Sequence, residues 1–545
     1  MAYLITKRIV WTKLVCGFFG IGLLPALTAY PVLGAERLTL SVGILEESIP
    51  IYSLEKYAKT GEIDDDLAVY TKYANKTQLT RLRTVLVTPI PLNIVNISQF
   101  FYTSIGERLL ERLGEVIQTE SRLSGFYAIR AALILAAAEP NNLTLLNILR
   151  KFPARSISIN LDRSLEIAAT LQDLVNKTQN AVALINQQSQ LKSTPSNLTS
   201  GLSADIKTPG KFTWQKQTIT LNDQSRNRTF PADIYLPNVS NPRSIVVISH
   251  GLGSDRSSFA YLAEHLAQSG FVVAVPEHPG SSSEQLQALL AGKSQTVTSP
   301  REFIDRPLDV KYLLDELTRL SQNNPVFQGR LNLQQIGVIG QSFGGYTALA
   351  LAGARINFEQ LKKDCPYINN TLNLSLLLQC LAINLPNTEY NLFDPRVKAI
   401  IAINPVNSSI MGSASLSQIK IPVMMISGSA DTIAPALPEQ IIPFTWLTTP
   451  NKYLMLINSG THFSTIAESP NTVVPVPTQV IGLYPALARS YVKALSVPFL
   501  QTYIAEQQSY LPYLSADYVN TISQQPLPLS LVKSLTLEEL QEAFK

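Results

Sequence analysis

The stretch GVIGQSFGGY, residues 337–346, closes the apolar run IGVIG and leads into the small-residue segment ALALAGA, residues 348–354. Gly340, Ser342 and Gly344 make a Gly-x-Ser-x-Gly pattern, which reads as strand, sharp turn, helix. Glycines on either side of the serine remove side chains that would collide in so tight a turn. So short a pattern also recurs by chance, and the rest of the chain decides whether Ser342 is reactive or an ordinary turn serine.

Around it, SIVVIS (244–249), FVVAV (271–275), VKAIIAI (397–403), PVMMIS (422–427) and YLMLI (453–457) are short, continuous apolar runs, most of them separated by helical stretches. Such runs fit a parallel sheet buried on both faces. KFTWQKQTITLND and RTFPADIYLP, just upstream, alternate like an early antiparallel pair. The fold class is therefore α/β, a mostly parallel central sheet with flanking helices.

In such a sheet, functional groups gather where loops leave the C-terminal ends of strands. PVMMIS runs into GSADTIAP, which carries Asp431, and YLMLI runs into NSGTHFS, which carries His462. An attacking serine needs a base near neutral pH, a carboxylate to orient that base, and backbone N–H groups for the developing oxyanion. Each such donor contributes about 3–4 kcal/mol. The order Ser342, Asp431, His462 is that of the α/β-hydrolase fold, and His250-Gly251-Leu252-Gly253 after SIVVIS is a compact turn able to supply an oxyanion donor. His250 precedes the serine, His265 lies in a helical pattern, and His278 follows FVVAV, so only His462 comes after both Ser342 and Asp431. Asp394 precedes its strand, and Asp305 and Asp309 open a helix, where carboxylates suit the helix dipole.

SHGLGSDRSSFAYLAEHLAQSGFVVAVPEHPGSS, residues 249–282, together with GQSFGG resembles the platelet-activating-factor acetylhydrolase and dienelactone-hydrolase-like branch of α/β-hydrolases. SQFFYTSIGERLLERLGEVIQTES and GFYAIRAALILAAAEP carry a second resemblance, to a bacterial, chiefly cyanobacterial, hydrolase family with a signal peptide and a helical N-terminal domain. The resemblance implies Ser342 as nucleophile, His462 as general base, and the amides of Leu252 and Phe343 as oxyanion donors. In acetylhydrolase-like enzymes the acid can follow the preceding strand, but here that strand ends in INPVNSS, without a carboxylate; Asp431 matches the dienelactone-hydrolase-like placement.

The 545 residues call for more than one domain. Residues 1–35 read as a signal peptide or a retained membrane anchor: Lys7, Arg8 and Lys13 precede the apolar LVCGFFGIGLLPAL, with small residues at Gly34 and Ala35. Residues 36–190 read as an all-α domain, with Asn75, Ser98 and Asp162 as helix caps, and the polar 191–210 as a linker. Residues 211–545 form the hydrolase domain, with an insertion at 356–393 in the usual place for a lid and a C-terminal extension at 496–545 that docks on the hydrolase. Thr536 and Glu539 make a capping box there.

The 44 basic and 40 acidic side chains leave a net charge of +4, and three of the bases lie before Glu36, the first acid, so no groove for nucleic acid is suggested. The histidines and cysteines lack metal-ligand spacing, and the expected chemistry needs no metal or cofactor. Cys365 and Cys380 are the cysteines outside the leader, either a disulfide of an exported protein or two buried thiols. The expectation is an exported serine esterase acting on small or lipid-like esters, periplasmic or secreted, with association at a membrane surface as a further expectation. A thioesterase or peptidase on the same fold, and a scaffold whose function lies in the N-terminal domain, are the alternatives.

Overall fold

The computed structural model describes residues 34–43, 45–72, 74–191, 210–471 and 478–545. Residues 1–33 of the leader, with Cys16, and residues 192–209 of the linker lie outside the described residues. Among those described, no helix is long and apolar enough to cross a membrane.

Among the described residues, the chain divides into two compact units, one running to residue 94 and taking up again at 113–162, the other of residues 95–112 and 163–545. The first corrects the all-α expectation. Four strands, β1 (Arg37–Val42), β2 (Leu45–Pro50), β3 (Ile117–Thr119) and β4 (Ser156–Asn160), form a sheet in the order β2-β1-β4-β3. β1 and β4 run parallel, and the other two neighbouring pairs antiparallel. The alternation in RLTLSV and SISIN is the signal for them, overshadowed by the longer helical patterns nearby. Asn75 caps its helix with a full capping box. Ser98 instead lies inside the helix Ile94–Phe101, and Asp162 in the first turn of Leu161–Leu191.

Among the described residues, the second unit is built on nine strands: β5 (Trp214–Asp223), β6 (Arg228–Pro237), β7 (Arg243–Ser249), β8 (Val272–Pro276), β9 (Leu331–Gln341), β10 (Val397–Ile403), β11 (Val423–Gly428), β12 (Lys452–Ile457) and β13 (Leu529–Val532). Their order is β13-β12-β11-β10-β9-β7-β8-β6-β5. β8, β7, β9, β10, β11 and β12 are mutually parallel, with antiparallel strands at both edges. Alternate residues along each central strand enter opposite cores. Ile245, Val247, Ile400, Ala402 and Met425 pack with the helices Glu302–Asn323 and Phe343–Leu351. Val246, Ile248, Ile401, Ile403 and Met424 pack with the helices Ala260–Gln268 and Pro485–Tyr503. A parallel sheet covered on both faces is the result, as the unbroken apolar runs require.

The domain boundary differs from that expected at 190. Ala181 and Ile185 on the long helix Leu161–Leu191 are fully buried in the first of these cores, so that helix belongs to the hydrolase unit. In the extension, the Thr536–Glu539 capping box forms, and LSLV becomes the edge strand β13.

Candidate active site

Ser342 directly follows β9 at φ 55°, ψ −115°, and its N–H donates to the Ile403 carbonyl of β10 at 2.9 Å. Such a backbone costs a non-glycine residue about 1–3 kcal/mol, and the neighbouring strand and helix hold it there. A Cβ on Gly340 would stand 1.9 Å from the Gly344 oxygen, and one on Gly344 2.0 Å from the Ser249 oxygen. The pattern of glycines is thus set by backbone touching backbone. Ser342 remains 7% exposed.

Asp431 and His462 arrive from the loops after β11 and β12. His462 Nδ1 lies 2.7 Å from Asp431 Oδ2. Ile433 N–H and Ala434 N–H both donate to Oδ1 at 2.8 Å, and the Asn404 amide donates to Oδ2 at 2.5 Å. Every partner of this buried carboxylate is a donor, so His462 Nδ1 carries a proton toward it and Nε2 is left with its lone pair. Gln341, beside the serine, donates from its amide to the His462 carbonyl at 3.2 Å, tying the His462 loop to the elbow. Asn404 is the residue that sequence reasoning passed over: in INPVNSS the search was for an acid, and the amide that braces the acid went unread.

The HGLG turn abuts the serine. A Cβ on Gly251 would lie 3.4 Å from Ser342 Cβ and 2.4 Å from Gln341 Oε1, so a side chain there would have to displace the Gln341 amide. Leu252 N–H makes no backbone hydrogen bond among the described residues, and Phe343 N–H opens its helix, where no intrahelical acceptor exists. Both amides are free to meet an oxyanion.

Arg306, fully buried, underlies both halves of this arrangement. Its guanidinium donates to the His250 carbonyl, to Ser249 Oγ at 3.2 Å, to Ser281 Oγ at 2.7 Å and to Thr347 Oγ1 at 3.3 Å. Its plane lies over the Phe343 ring, 4.6 Å from the centroid. Burial pulls the Arg306 guanidinium down to about 9, against the opposing pull of Glu302 and Asp309, and leaves it charged at neutral pH. Behind it, His278 lies between Ser249 Oγ at 2.9 Å and Asp309 Oδ2 at 3.0 Å. Burial, then the Arg306 charge, pushes His278 well below the ordinary imidazole range. It is therefore a neutral ring, donating from Nδ1 to Asp309 and accepting the Ser249 hydroxyl proton at Nε2. This second Ser-His-Asp set is sealed from solvent and serves as framework. Asp309, expected merely to suit a helix start, also pairs with Arg226 and Arg228.

The rivals lie elsewhere. His265 is buried in its helix, and Asp394 pairs with Arg396 ahead of β10. The insertion at 356–393 is a set of short helices in which Cys365 and Cys380 are joined. It is fastened to the loop after β10 by the buried Glu439. One carboxylate oxygen accepts from Asn373, Ser375, Gln379 and Ser408 side chains, the other from Asn407 and Ser408 N–H. Among the described residues, no group of three or more His, Cys, Asp or Glu is placed to hold a metal ion.

A family model described as an alpha/beta hydrolase of unknown function matches residues 34–160, and one described as a serine aminopeptidase matches residues 240–375. Cutinase 2 of Thermobifida cellulosilytica is 23% identical over 288 residues, covering 52% of this chain and 76% of that protein. A cutinase of Thermobifida fusca is also 23% identical over 288 residues, but covers 62% of its own length. The platelet-activating factor acetylhydrolase of Cavia porcellus is 26% identical over 133 residues, 19% of this chain and 30% of that protein. The doubly covered parallel sheet, the elbow at Ser342 and these matches agree on the α/β-hydrolase fold for this chain.

Proposed function

We propose that the protein is an exported serine esterase that cleaves carboxylic esters through an acyl-enzyme. Ser342 Oγ attacks the acyl carbonyl while His462 Nε2 takes its proton, and Asp431 steadies the charged imidazole. The tetrahedral oxyanion is met by the amides of Leu252 and Phe343. The C–O bond to the alcohol then breaks, with the His462 proton going to the leaving oxygen. Water, deprotonated by the same imidazole, releases the acid and restores Ser342. No metal or organic cofactor takes part. The basic, apolar leader carries the chain out of the cytoplasm, to the periplasm or beyond, and a lipid-like ester would bring the enzyme to a membrane surface.

The observation that carries this reading is the Asp431–His462 pair, whose loop is tied through Gln341 to the strand end just before the strained Ser342. The cutinase relatives favour esters among the substrates such a site can take. The match of residues 240–375 to a family described as a serine aminopeptidase supports a second reading, hydrolysis of peptide amides. A panel of matched p-nitrophenyl esters, thioesters and peptide anilides decides between them. The ester reading predicts the highest kcat/KM on the oxygen esters; a preference for the anilides would replace it with the peptidase.

A further inference from the structure

Residues 95–112 precede the hydrolase unit in sequence by more than 50 residues, yet they are part of it in space. They form two helices, Ile94–Phe101 and the start of Ser104–Val116, joined at a closed corner. There Thr103 Oγ1 donates to the Phe100 carbonyl at 2.7 Å and accepts from Gly106 N–H at 3.1 Å. A Cβ on Gly106 would stand 2.2 Å from the Phe100 oxygen, so the corner is tight.

Each arm of this corner is attached to a different element of the hydrolase unit. The first arm reaches the end of the helix Ser283–Leu290: Asn96 donates to the Leu290 carbonyl at 3.2 Å, and Gln99 lies against Gly292. That helix starts beside the oxyanion turn, where Ser283 N–H donates to the Ser254 carbonyl and Gly253 N–H to the Ser281 carbonyl, both at 2.8 Å. The second arm reaches the insertion: Ile105 and Leu109 pack on Ile368, Leu376 and Leu377, and Arg112 donates to the Ile368 carbonyl. The insertion is in turn fixed to the loop after β10, through Gln379 to Ser409 and Ile410 N–H and through Glu439. Val406 N–H of that loop donates to the Ser342 carbonyl at 3.4 Å. Two chains of contacts therefore run from residues 95–112 toward Ser342, one through the helix Ser283–Leu290 to the HGLG turn and one through the insertion to the loop after β10. The half-buried Phe100 and Phe101, edge to face at 5.2 Å, add apolar surface to the same segment.

We propose that residues 95–112 form a strap across the mouth of the active site and, with the disulfide-closed insertion, select esters with an extended apolar acyl chain. The inference rests on the esterase reading of Ser342. It gives this part of the N-terminal region a place in substrate choice, not in the bond-breaking step. The test uses the full chain and compares kcat/KM on p-nitrophenyl decanoate and p-nitrophenyl acetate for the wild type, Leu109→Ala and Arg112→Ala. Thermal melting establishes that each variant is folded, and a fluorophosphonate titration counts its reactive sites. The strap predicts that the decanoate-to-acetate ratio falls about tenfold in both variants, the usual cost of lost apolar contact in a specificity pocket. A ratio within about twofold of the wild type in both folded variants, including an equal fall on both esters, overturns it. A wild-type protein that takes the probe at Ser342 but cleaves neither ester refutes the esterase reading itself, and the strap's role falls with it.

Discussion

Phe343 contributes two things to the centre, a backbone amide beside Ser342 and a ring on which Arg306 rests. Arg306 grips the His250 carbonyl on the other side, so one buried cation links the HGLG turn to the residue after Ser342, whose amides are the proposed oxyanion donors. A misplacement of about 1 Å at such a centre can cost about 100-fold in rate. Arg306→Gln is therefore expected to lower kcat by about 10–100-fold per titrated site with KM little changed. Arg306→Lys should not restore it, because an ammonium cannot fill a fan of acceptors and stack on the ring. A variant with normal kcat per site and only a lower melting temperature would reduce Arg306 to a structural role. At this scale the placement of Ser342, Asp431 and His462 was legible because each follows an apolar strand in a fixed order. Asn404 and Arg306 were not, since neither has a motif of its own: both act through groups brought near by strands and helices distant in sequence.

Among elements, the sheet of the hydrolase unit could be read because its strands are unbroken apolar runs, which nothing but double burial explains. The strands of the N-terminal unit are 3 to 6 residues long and partly exposed, so their alternation is brief and neighbouring helical periodicity dominates it. LSLV at 529–532 was missed for the same reason, although all four residues are buried as β13. The insertion offers the sharpest test at this scale. Its disulfide closes a loop with a sequence separation of 15, which on the chain-entropy model stabilises by about 3 kcal/mol. Cys365→Ser/Cys380→Ser is expected to lower the urea midpoint and to raise hydrogen exchange in residues 365–380, next to the Glu439 anchor. Identical unfolding and exchange with and without the bond would show that the insertion is held by Glu439 and its packing alone.

For the whole molecule, pH acts on stability through buried carboxylates other than Asp431. Burial raises the Asp255 carboxyl, but hydrogen bonds from Ser257 and Ser469 more than reverse this and hold it below the usual range. Burial likewise raises Asp223 and Asp394, and is outweighed by Ser225 with Arg226 and by Arg396. Carboxylates whose folded pKa is lowered contribute stability that is present above their unfolded value, about 4, and lost as the pH falls through the folded one. Melting temperature should therefore fall steeply below about pH 4, and Asp255→Asn should shallow that limb. A melting temperature that rises on acidification to that range would contradict the sign.

The central claim is that the chemistry of this α/β-hydrolase starts at Ser342. Intact-mass and peptide analysis after treatment with a fluorophosphonate measures this directly. The expected result is a single adduct on the peptide containing Ser342, with loss of ester hydrolysis, and no adduct on Ser342→Ala. A folded Ser342→Ala protein that still takes up the probe or still cleaves esters would contradict it.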